Sequence, residues 1–174
     1  SIAVAFPEAK PYLTTGSRAY VIGGQDGSFP ERGEHMPKEM YGIWAPPIKA
    51  ADGFWLKVNG SYLPAGETFE MLPWGCRFYY PVCDEISTER FQFVPDETEG
   101  VCVTYTFHNT GTEAKQLPIC FTLKSDLQPV WLSDRLGKEN CPDIGRFDAS
   151  SKVLTLKDQG NPWYLLMTAS LPAE

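Results

Sequence analysis

The sequence predicts an all-β protein, a two-sheet antiparallel β-sandwich that carries one long irregular loop. The first observation is composition, because 15 glycines, 15 prolines and an aromatic fraction of 13% suit short strands and turns better than helices. The second is periodicity, since no stretch of useful length spaces its apolar residues as a helix does, whereas several alternate apolar and polar residues. A chain of 174 residues has the usual size of one domain, so we expect residues 1–174 to form a single sandwich.

The first predicted elements are an extended lead-in over residues 1–16, which contains two prolines, and a short strand over residues 18–22. The missing initial methionine indicates a processed or excised N-terminus. The strongest hairpin signal is Asn59-Gly60, because these two residues adopt the positive φ angles of a tight two-residue turn.

The later strands follow from alternation and from the turn residues between them. In residues 101–108, Val103, Tyr105 and Phe107 alternate with less apolar residues, which predicts a central strand that turns near Gly111 into the next one. Residues 133–148 are expected to be irregular. The strands predicted from the loop onward cover residues 54–58, 61–63, 67–72, 76–80, 85–94, 101–108, 117–124, 125–132, 153–157 and 163–169.

Residues 23–55 show neither helical nor strand periodicity, yet they are rich in glycine, proline, tryptophan and carboxylates. An ordered irregular segment of this length inside a compact domain is usually a binding or active-site loop. We therefore expect this loop to form the functional surface.

The cysteine pattern suggests neither a zinc ribbon nor a complete disulfide framework, because the number is odd and no C-x-x-C pair occurs. Cys102 and Cys120 flank the turn near Gly111, so a hairpin there would place them opposite each other. Two free buried thiols are the favoured interpretation, and a disulfide is the alternative. The five positions are Cys76, Cys83, Cys102, Cys120 and Cys141.

Several classes of function are disfavoured. A net charge of -7 opposes binding to nucleic acid or to an anionic membrane surface, and no apolar run is long enough to span a bilayer. With only His35 and His108, and without a G-x-S-x-G motif, a nucleophilic triad or a transition-metal site has little support. No phosphate or dinucleotide fingerprint is present, so no cofactor is expected.

The loop offers side chains suited to a sugar, because C–H faces pack on aromatic rings while hydroxyl groups need directional polar partners. The alternative for each tryptophan is that it packs the loop onto the sandwich; we weigh the two equally for Trp44 and favour packing for Trp55. Its carboxylates also permit glycoside hydrolysis, which needs two facing carboxyl groups, but a solvated or turn-capping role is favoured for each one. The candidate binding residues are Gln25, Asp26, His35, Trp44, Lys49, Asp52 and Trp74.

Several segments resemble a known domain. These are G-G-Q-D-G-S-F-P at residues 23–30, G-I-W-A-P-P-I-K at 42–49, D-G-F-W at 52–55, V-T-Y-T-F-H-N-T-G at 103–111 and L-K-S-D-L-Q-P-V-W at 123–131. Together they are similar to the N-terminal β-sandwich domain of bacterial six-hairpin glycoside hydrolases of the glucoamylase and glycogen-debranching type. The resemblance implies that the catalytic acid and base lie in a helical (α/α) barrel that follows the sandwich. It also implies a periplasmic or extracellular location.

The sequence thus favours a non-catalytic sandwich domain of a carbohydrate-processing glycoside hydrolase, which packs on the catalytic barrel and lends a loop to the substrate pocket. Its expected partners are a carbohydrate and the downstream helical domain of the same polypeptide. Two alternatives stay open: a free-standing carbohydrate-binding module that uses Trp44 and Trp74, and an immunoglobulin-like spacer or adhesion domain.

Overall fold

The computed structural model describes residues 1–30, 40–129, 137 and 139–170. Every regular element in these ranges is a β-strand, and none of these residues belongs to a helix that could cross a membrane. The strands are β1 (Ile2–Ala5), β2 (Pro11–Thr15), β3 (Tyr20–Gly24), β4 (Gly42–Ala45), β5 (Ile48–Val58), β6 (Ser61–Tyr62), β7 (Thr68–Leu72), β8 (Gly75–Cys83), β9 (Ile86–Phe93), β10 (Cys102–Asn109), β11 (Ile119–Pro129), β12 (Asp143–Asp148), β13 (Val153–Asp158) and β14 (Tyr164–Thr168).

Two antiparallel sheets form the sandwich. The first has the strand order β1-β7-β8-β9-β10, and the second has the order β11-β5-β4-β3-β2 with the short β6 paired to β5. A third sheet, β12-β13-β14, adjoins the second sheet through β11. The all-β, antiparallel sandwich prediction is confirmed, and the three-stranded sheet is an addition to it.

An aromatic cluster joins the two sheets. Tyr12 of β2 contacts Phe69 of β7 and Phe78 of β8, with ring centroids 5.6 and 5.3 Å apart, and all three rings are buried. Burying one such side chain contributes about 1.5–3 kcal/mol. The core therefore lies between β2 and β3 on one side and β7 and β8 on the other.

The expectation of an irregular loop over residues 23–55 is wrong for its second half. Here β4 and β5 form a hairpin around Pro46-Pro47, with Ala45 opposite Ile48. The strand signal is missing because β5 is buried on both faces in this part, so its residues do not alternate. Gly53 shows why small residues occur here: an added Cβ would lie 2.6 Å from the ring of Phe29. The rest of this prediction concerns the segment after β3, of which residues 31–39 lie outside the described ranges.

The predicted pairing around Gly111 is also wrong. The strand β10 pairs with β9 at the edge of the first sheet, whereas β11 pairs with β5 in the second. Alternation in β10 indicates that one of its faces packs inward, but it does not indicate whether the strand is central or at the edge of its sheet, or which strand it pairs with. The sequence predicts separate strands at 117–124 and 125–132, but one strand, β11, runs through both as far as Pro129, and residues 130–132 lie outside the described ranges. Residues 143–148 form β12 rather than irregular structure.

Three other hairpins predicted from turn residues are confirmed. Asn59 and Gly60 have φ angles of 51° and 79° and join β5 to β6. β9 pairs with β10, and β13 pairs with β14, as expected. Local turn chemistry predicted these contacts because it acts over a few residues only.

Changing Gly60 to Ala should lower the free energy of unfolding by about 1 kcal/mol, because the left-handed conformation is costly for residues with a Cβ. Nothing lies within 4 Å of an added Cβ at Gly60, so the backbone conformation alone causes the loss. Urea unfolding measures it. Gly100→Ala is the matched control, since Gly100 has no positive φ and only one side-chain atom nearby. Equal stability of the two variants would contradict this account.

The thiols of all five cysteines are free. The favoured expectation of free thiols at Cys102 and Cys120 agrees with the structure. Both lie on edge strands of different sheets and are exposed, so the expected burial and the expected placement opposite each other are wrong. Cys76 is buried, and burial raises its pKa to about 11 although a hydrogen bond from Thr14 and the charge of Arg90 oppose the shift.

A thiol-reactive chromophore should therefore titrate five groups in the unfolded, non-reduced protein. In the folded protein, we expect Cys83, Cys102 and Cys120 to react first, while Cys76 should react only on unfolding, because its buried thiol is neutral and shielded. A total of three thiols in the unfolded protein would reveal a disulfide and contradict the structure.

Candidate functional site

A small cleft opens where the segment after β3 crosses the sandwich, and it combines aromatic rings with a carboxylate and a guanidinium. Its volume is about 160 Å³. It lies between the turn at residues 26–28, strands β5 and β6, and the inner faces of β8, β9 and β10. Its walls are formed by Asp26, Gly27, Ser28, Phe54, Trp55, Leu56, Tyr62, Leu63, Pro64, Ala65, Tyr80, Arg90 and Tyr105.

The turn that carries Asp26 is held by several independent contacts. The Oδ1 atom of Asp26 accepts hydrogen bonds from the backbone N–H and the hydroxyl group of Ser28, at 3.0 and 2.6 Å. The carbonyl of Asp26 accepts from the N–H of Gly66. Gly27 has a φ angle of +84°, and an added Cβ would lie 2.8 Å from the hydroxyl of Tyr80, so only glycine fits here. The carboxylate of Asp26 is therefore presented by a fixed backbone.

Phe29 fastens the same turn to the sandwich. Its ring lies 4.8 Å from that of Phe54 and 6.2 Å from that of Trp55, and it is buried. The favoured packing interpretation of Trp55 agrees with this contact, yet Trp55 also lines the cleft. One face of the loop is thus core, and the other borders the cleft.

Arg90 is the most unusual group in the wall. Its residue is only 2% exposed, and its guanidinium lies 3.8 Å from the ring centre of Phe78 and 5.3 Å from that of Phe54. Nη1 donates to the carbonyl of Gly27 at 3.0 Å. Within the described part of the chain, Nε and Nη2 form no hydrogen bond of regular geometry, although the hydroxyl of Tyr105 interacts with the guanidinium, and no carboxylate forms an ion pair with this arginine. The sandwich therefore holds a buried positive charge that forms no ion pair with the described residues.

Three tyrosines, of which Tyr12 and Tyr80 are buried and Tyr105 is half-buried, surround this charge as neutral dipoles. Burial raises the pKa values of Tyr12, Tyr80 and Tyr105, and the attraction of Arg90 for their ionised forms offsets only part of the shift. Burial alone would lower the pKa of Arg90, but its electrostatic interactions with these tyrosines reverse the direction. At neutral pH the arginine is charged and the phenols are not, so they supply no counter-charge.

Three predicted residues, Trp44, Lys49 and Asp52, meet elsewhere, in a buried ionic network. Lys49 Nζ lies 2.6 Å from Asp52 Oδ1 and 3.6 Å from Asp126, and Lys124 Nζ lies 2.7 Å from Asp52 Oδ2. Burial alone would raise the pKa of Asp52, but the two lysines outweigh it and lower that pKa. None of these residues lines the cleft.

Trp44 is packed on both faces. Its ring stacks on Tyr20 at 5.9 Å, the amine of Lys49 lies 5.6 Å from its centre, and its indole N–H donates to the carbonyl of Met40. This is the arrangement expected of the packing alternative, in which the tryptophan fastens the segment to the sandwich.

The remaining predicted residues are dispersed. Gln25 donates weakly to the carbonyl of Pro11 beside the cleft, without lining it. Trp74 is 66% exposed at the turn between β7 and β8. His35 lies outside the described residues. Of the six candidates that the structure describes, only Asp26 lies in the cleft wall.

Sequence reasoning missed Arg90, because the alternation in β9 predicts the opposite orientation of the strand, with its aromatic residues inward. In β9, the inward positions are Ile86, Thr88, Arg90 and Gln92, whereas Phe91 and its neighbour Phe93 lie on the other face. A strand that places its aromatic residues outward and its polar residues inward contradicts the usual pattern, and such conflicts mark functional or strained sites.

A second, larger groove of about 490 Å³ is mostly apolar and lies where β14 approaches β10, β11 and the β4–β5 turn. Val103, Phe121 and Leu123 form part of it, so it continues the interior of the sandwich toward solvent. Its described lining carries one charged side chain, that of Glu99.

The described residues contain no group of three or more His, Cys, Asp or Glu side chains arranged to hold a metal ion. Comparison of the chain with models of known protein families, with curated proteins and with solved structures finds no match. The geometry of the cleft is therefore the basis on which a function can be proposed.

Replacing Asp52 with Asn should lower the free energy of unfolding at pH 7 by about 3 kcal/mol, because removing one partner of a buried pair leaves the other charge uncompensated. The folded-state pKa of Asp52 lies below its usual value of 3.8, so its contribution is present above that value and is lost as pH falls through the lowered pKa. The difference in the free energy of unfolding between wild type and variant should therefore decrease at acidic pH.

Denaturant titrations between neutral pH and about pH 3 measure this gap, since the unfolded-state pKa of Asp is about 3.9. Asp96→Asn is the matched control, because Asp96 is exposed and its carboxylate has no ion-pair partner within the described ranges. We expect a change within about 0.5 kcal/mol for the control. A pH-independent gap for Asp52→Asn would exclude its charge as the cause.

Proposed function

We propose that this protein is a non-catalytic carbohydrate-recognition domain of a glycoside hydrolase, and that the cleft at Asp26 and Arg90 contacts the sugar. The observation that carries the proposal is the composition of this one cleft, in which a fixed carboxylate and buried guanidinium donors lie among aromatic rings. Such a combination offers acceptors and donors for hydroxyl groups and flat surfaces for C–H faces.

The size of the cleft supports a single sugar unit. Pockets for drug-sized ligands have volumes of about 300–1,000 Å³, whereas this cleft has about 160 Å³. Trp55, Tyr62 and Tyr105 provide rings at its wall. A chain of sugars would then place one residue in the cleft and continue across the surface.

Recognition rather than hydrolysis is proposed because the described lining of the cleft includes one carboxylate, that of Asp26. Glycoside hydrolysis generally requires a second carboxyl group on the opposite side of the scissile bond. The resemblance of the sequence assigns both catalytic groups to a helical barrel in the same polypeptide.

Packing on that barrel is the second part of the proposal. The apolar groove beside β14 supports it, because an exposed continuation of a sandwich interior is typical of a surface that another domain covers. A periplasmic or extracellular location comes from the resemblance. The five free thiols do not favour it, since oxidising compartments promote disulfides.

A free-standing carbohydrate-binding module is the second candidate, and the exposed ring of Trp74 favours it. In that case sugar would bind at the β7–β8 turn, and Asp26 would not contribute. The two candidates therefore predict opposite effects of two single substitutions.

Titration calorimetry against a panel of neutral and acidic oligosaccharides should detect binding by the wild-type chain. Asp26→Asn should weaken the binding of neutral oligosaccharides about tenfold, because a hydrogen bond to a charged acceptor is lost while Asn can still accept from Ser28. Trp74→Ala should leave the affinity unchanged.

The reverse pattern, with affinity lost in Trp74→Ala and retained in Asp26→Asn, would move the site to the exposed turn. Absence of binding to every glycan would overturn recognition at this cleft. Release of reducing sugar by the isolated chain would overturn the non-catalytic assignment, and Asp96→Asn controls for the change of charge.

A further inference from the structure

We propose that the cleft prefers an acidic sugar, a uronic acid whose carboxylate pairs with the guanidinium of Arg90. This inference rests on the proposed function and names the substrate class of the same site. Its basis is geometric: a buried arginine in the cleft wall has two donors without acceptors in the described chain.

Arg90 lacks an ion-pair partner in the described chain. Arginine is almost never fully buried without a partner, because removing its charge from water costs several kcal/mol. Arg90 is nine-tenths buried or more, and its protein partners are the carbonyl of Gly27, the hydroxyl of Tyr105 and aromatic rings. A cation–π contact of this kind offsets about 2 kcal/mol when desolvated, which leaves part of the cost. An anion in the cleft would offset the rest.

A guanidinium presents its N–H groups in a planar fork that matches a carboxylate, and charge-assisted bonds of this type are about twice as strong as neutral ones. One arm of the fork, Nη1, is used by the turn. Nε and Nη2 are the donors that remain for a ligand.

The other groups in the cleft wall determine what the remainder of the ligand must offer. Asp26 can only accept hydrogen bonds when ionised, so it requires a hydroxyl group beside the acid. The rings of Trp55 and Tyr62 require C–H surface. A carboxylate, hydroxyl groups and a C–H face occur together in a uronic acid residue, which also suits the volume of the cleft.

The negative charge of the chain does not exclude an acidic ligand. At physiological ionic strength, exposed charges more than about 8 Å apart are largely screened, whereas the buried Arg90 is not. The nearby Asp26 weakens the interaction, and its removal should therefore affect acidic and neutral sugars differently.

The test compares ligands that share the sugar ring and differ in the charged group at one position. Calorimetry uses the methyl glycosides of glucuronic and galacturonic acid, the methyl esters of the same acids, and methyl glucoside and galactoside. One of the two acids should bind at least about tenfold more tightly than its ester and its neutral hexose, because a charged hydrogen-bonded pair is lost in both. Acetate serves as a carboxylate without a sugar and should not compete at equal concentration.

Arg90→Met removes the charge at similar volume and should abolish the preference for the acid over its ester. Asp26→Asn should weaken the neutral hexoses but not the acid, since it removes both a hydroxyl acceptor and a repulsive charge. The ester comparison on wild-type protein needs no variant, so it decides the question even where Arg90→Met does not fold.

Equal affinity for acid, ester and hexose would overturn this inference while the proposed function stands. Absence of binding to every sugar would overturn both. Competition by acetate as strong as that by the uronic acid would show an anion site without sugar recognition, and it would also overturn the inference.

Discussion

The guanidinium of Arg90, held between the two sheets, is the constraint on which the cleft depends. It stacks on Phe78 of one sheet and faces Phe54 of the other, and it donates to the carbonyl of Gly27. That hydrogen bond fixes the turn after β3, and the turn in turn presents the carboxylate of Asp26. Because a buried cation needs every available acceptor, the loop is drawn onto the sandwich at this point. The cleft is the open space beside this guanidinium, whose hydrogen-bond donors are not all paired within the described protein.

The ionic network around Lys49 shows the contrasting case. There a lysine that is 1% exposed lies against two carboxylates, and Asp52 receives a second lysine from β11. Charges of opposite sign are paired within the fold, so the network needs no ligand and joins β4, β5 and β11. Both centres are buried and both include a candidate identified from sequence. Of these two centres, only that at Arg90 has incompletely paired hydrogen-bond donors beside an open cleft. It is therefore the candidate functional site.

Much of the fold could be predicted from the sequence, because turns and alternation are local signals. The hairpin at Asn59-Gly60 and the pairing of β9 with β10 required only neighbouring residues. The failures have a common cause, which is tertiary context. The strand β5 lost its alternation through burial on both faces, and β10 proved to be an edge strand that is not paired with β11. For the candidate site, Asp26 was predicted, but Arg90 was not, since nothing local distinguishes an arginine that points inward from one that points to solvent.

The location of Arg90 also bears on affinity. An exposed arginine must lose bound water and side-chain freedom when it meets a carboxylate, and those losses reduce the affinity that the contact could give. Folding has already removed Arg90 from water, and the rings of Phe54 and Phe78 with the carbonyl of Gly27 hold its orientation. When the proposed ligand binds, the contact therefore has to offset only the free-energy cost of desolvating and ordering the ligand itself. A single preorganised contact can then discriminate an acid from its ester in a cleft too small for many contacts, and the tryptophans that first suggest sugar binding in the sequence are not required for that discrimination.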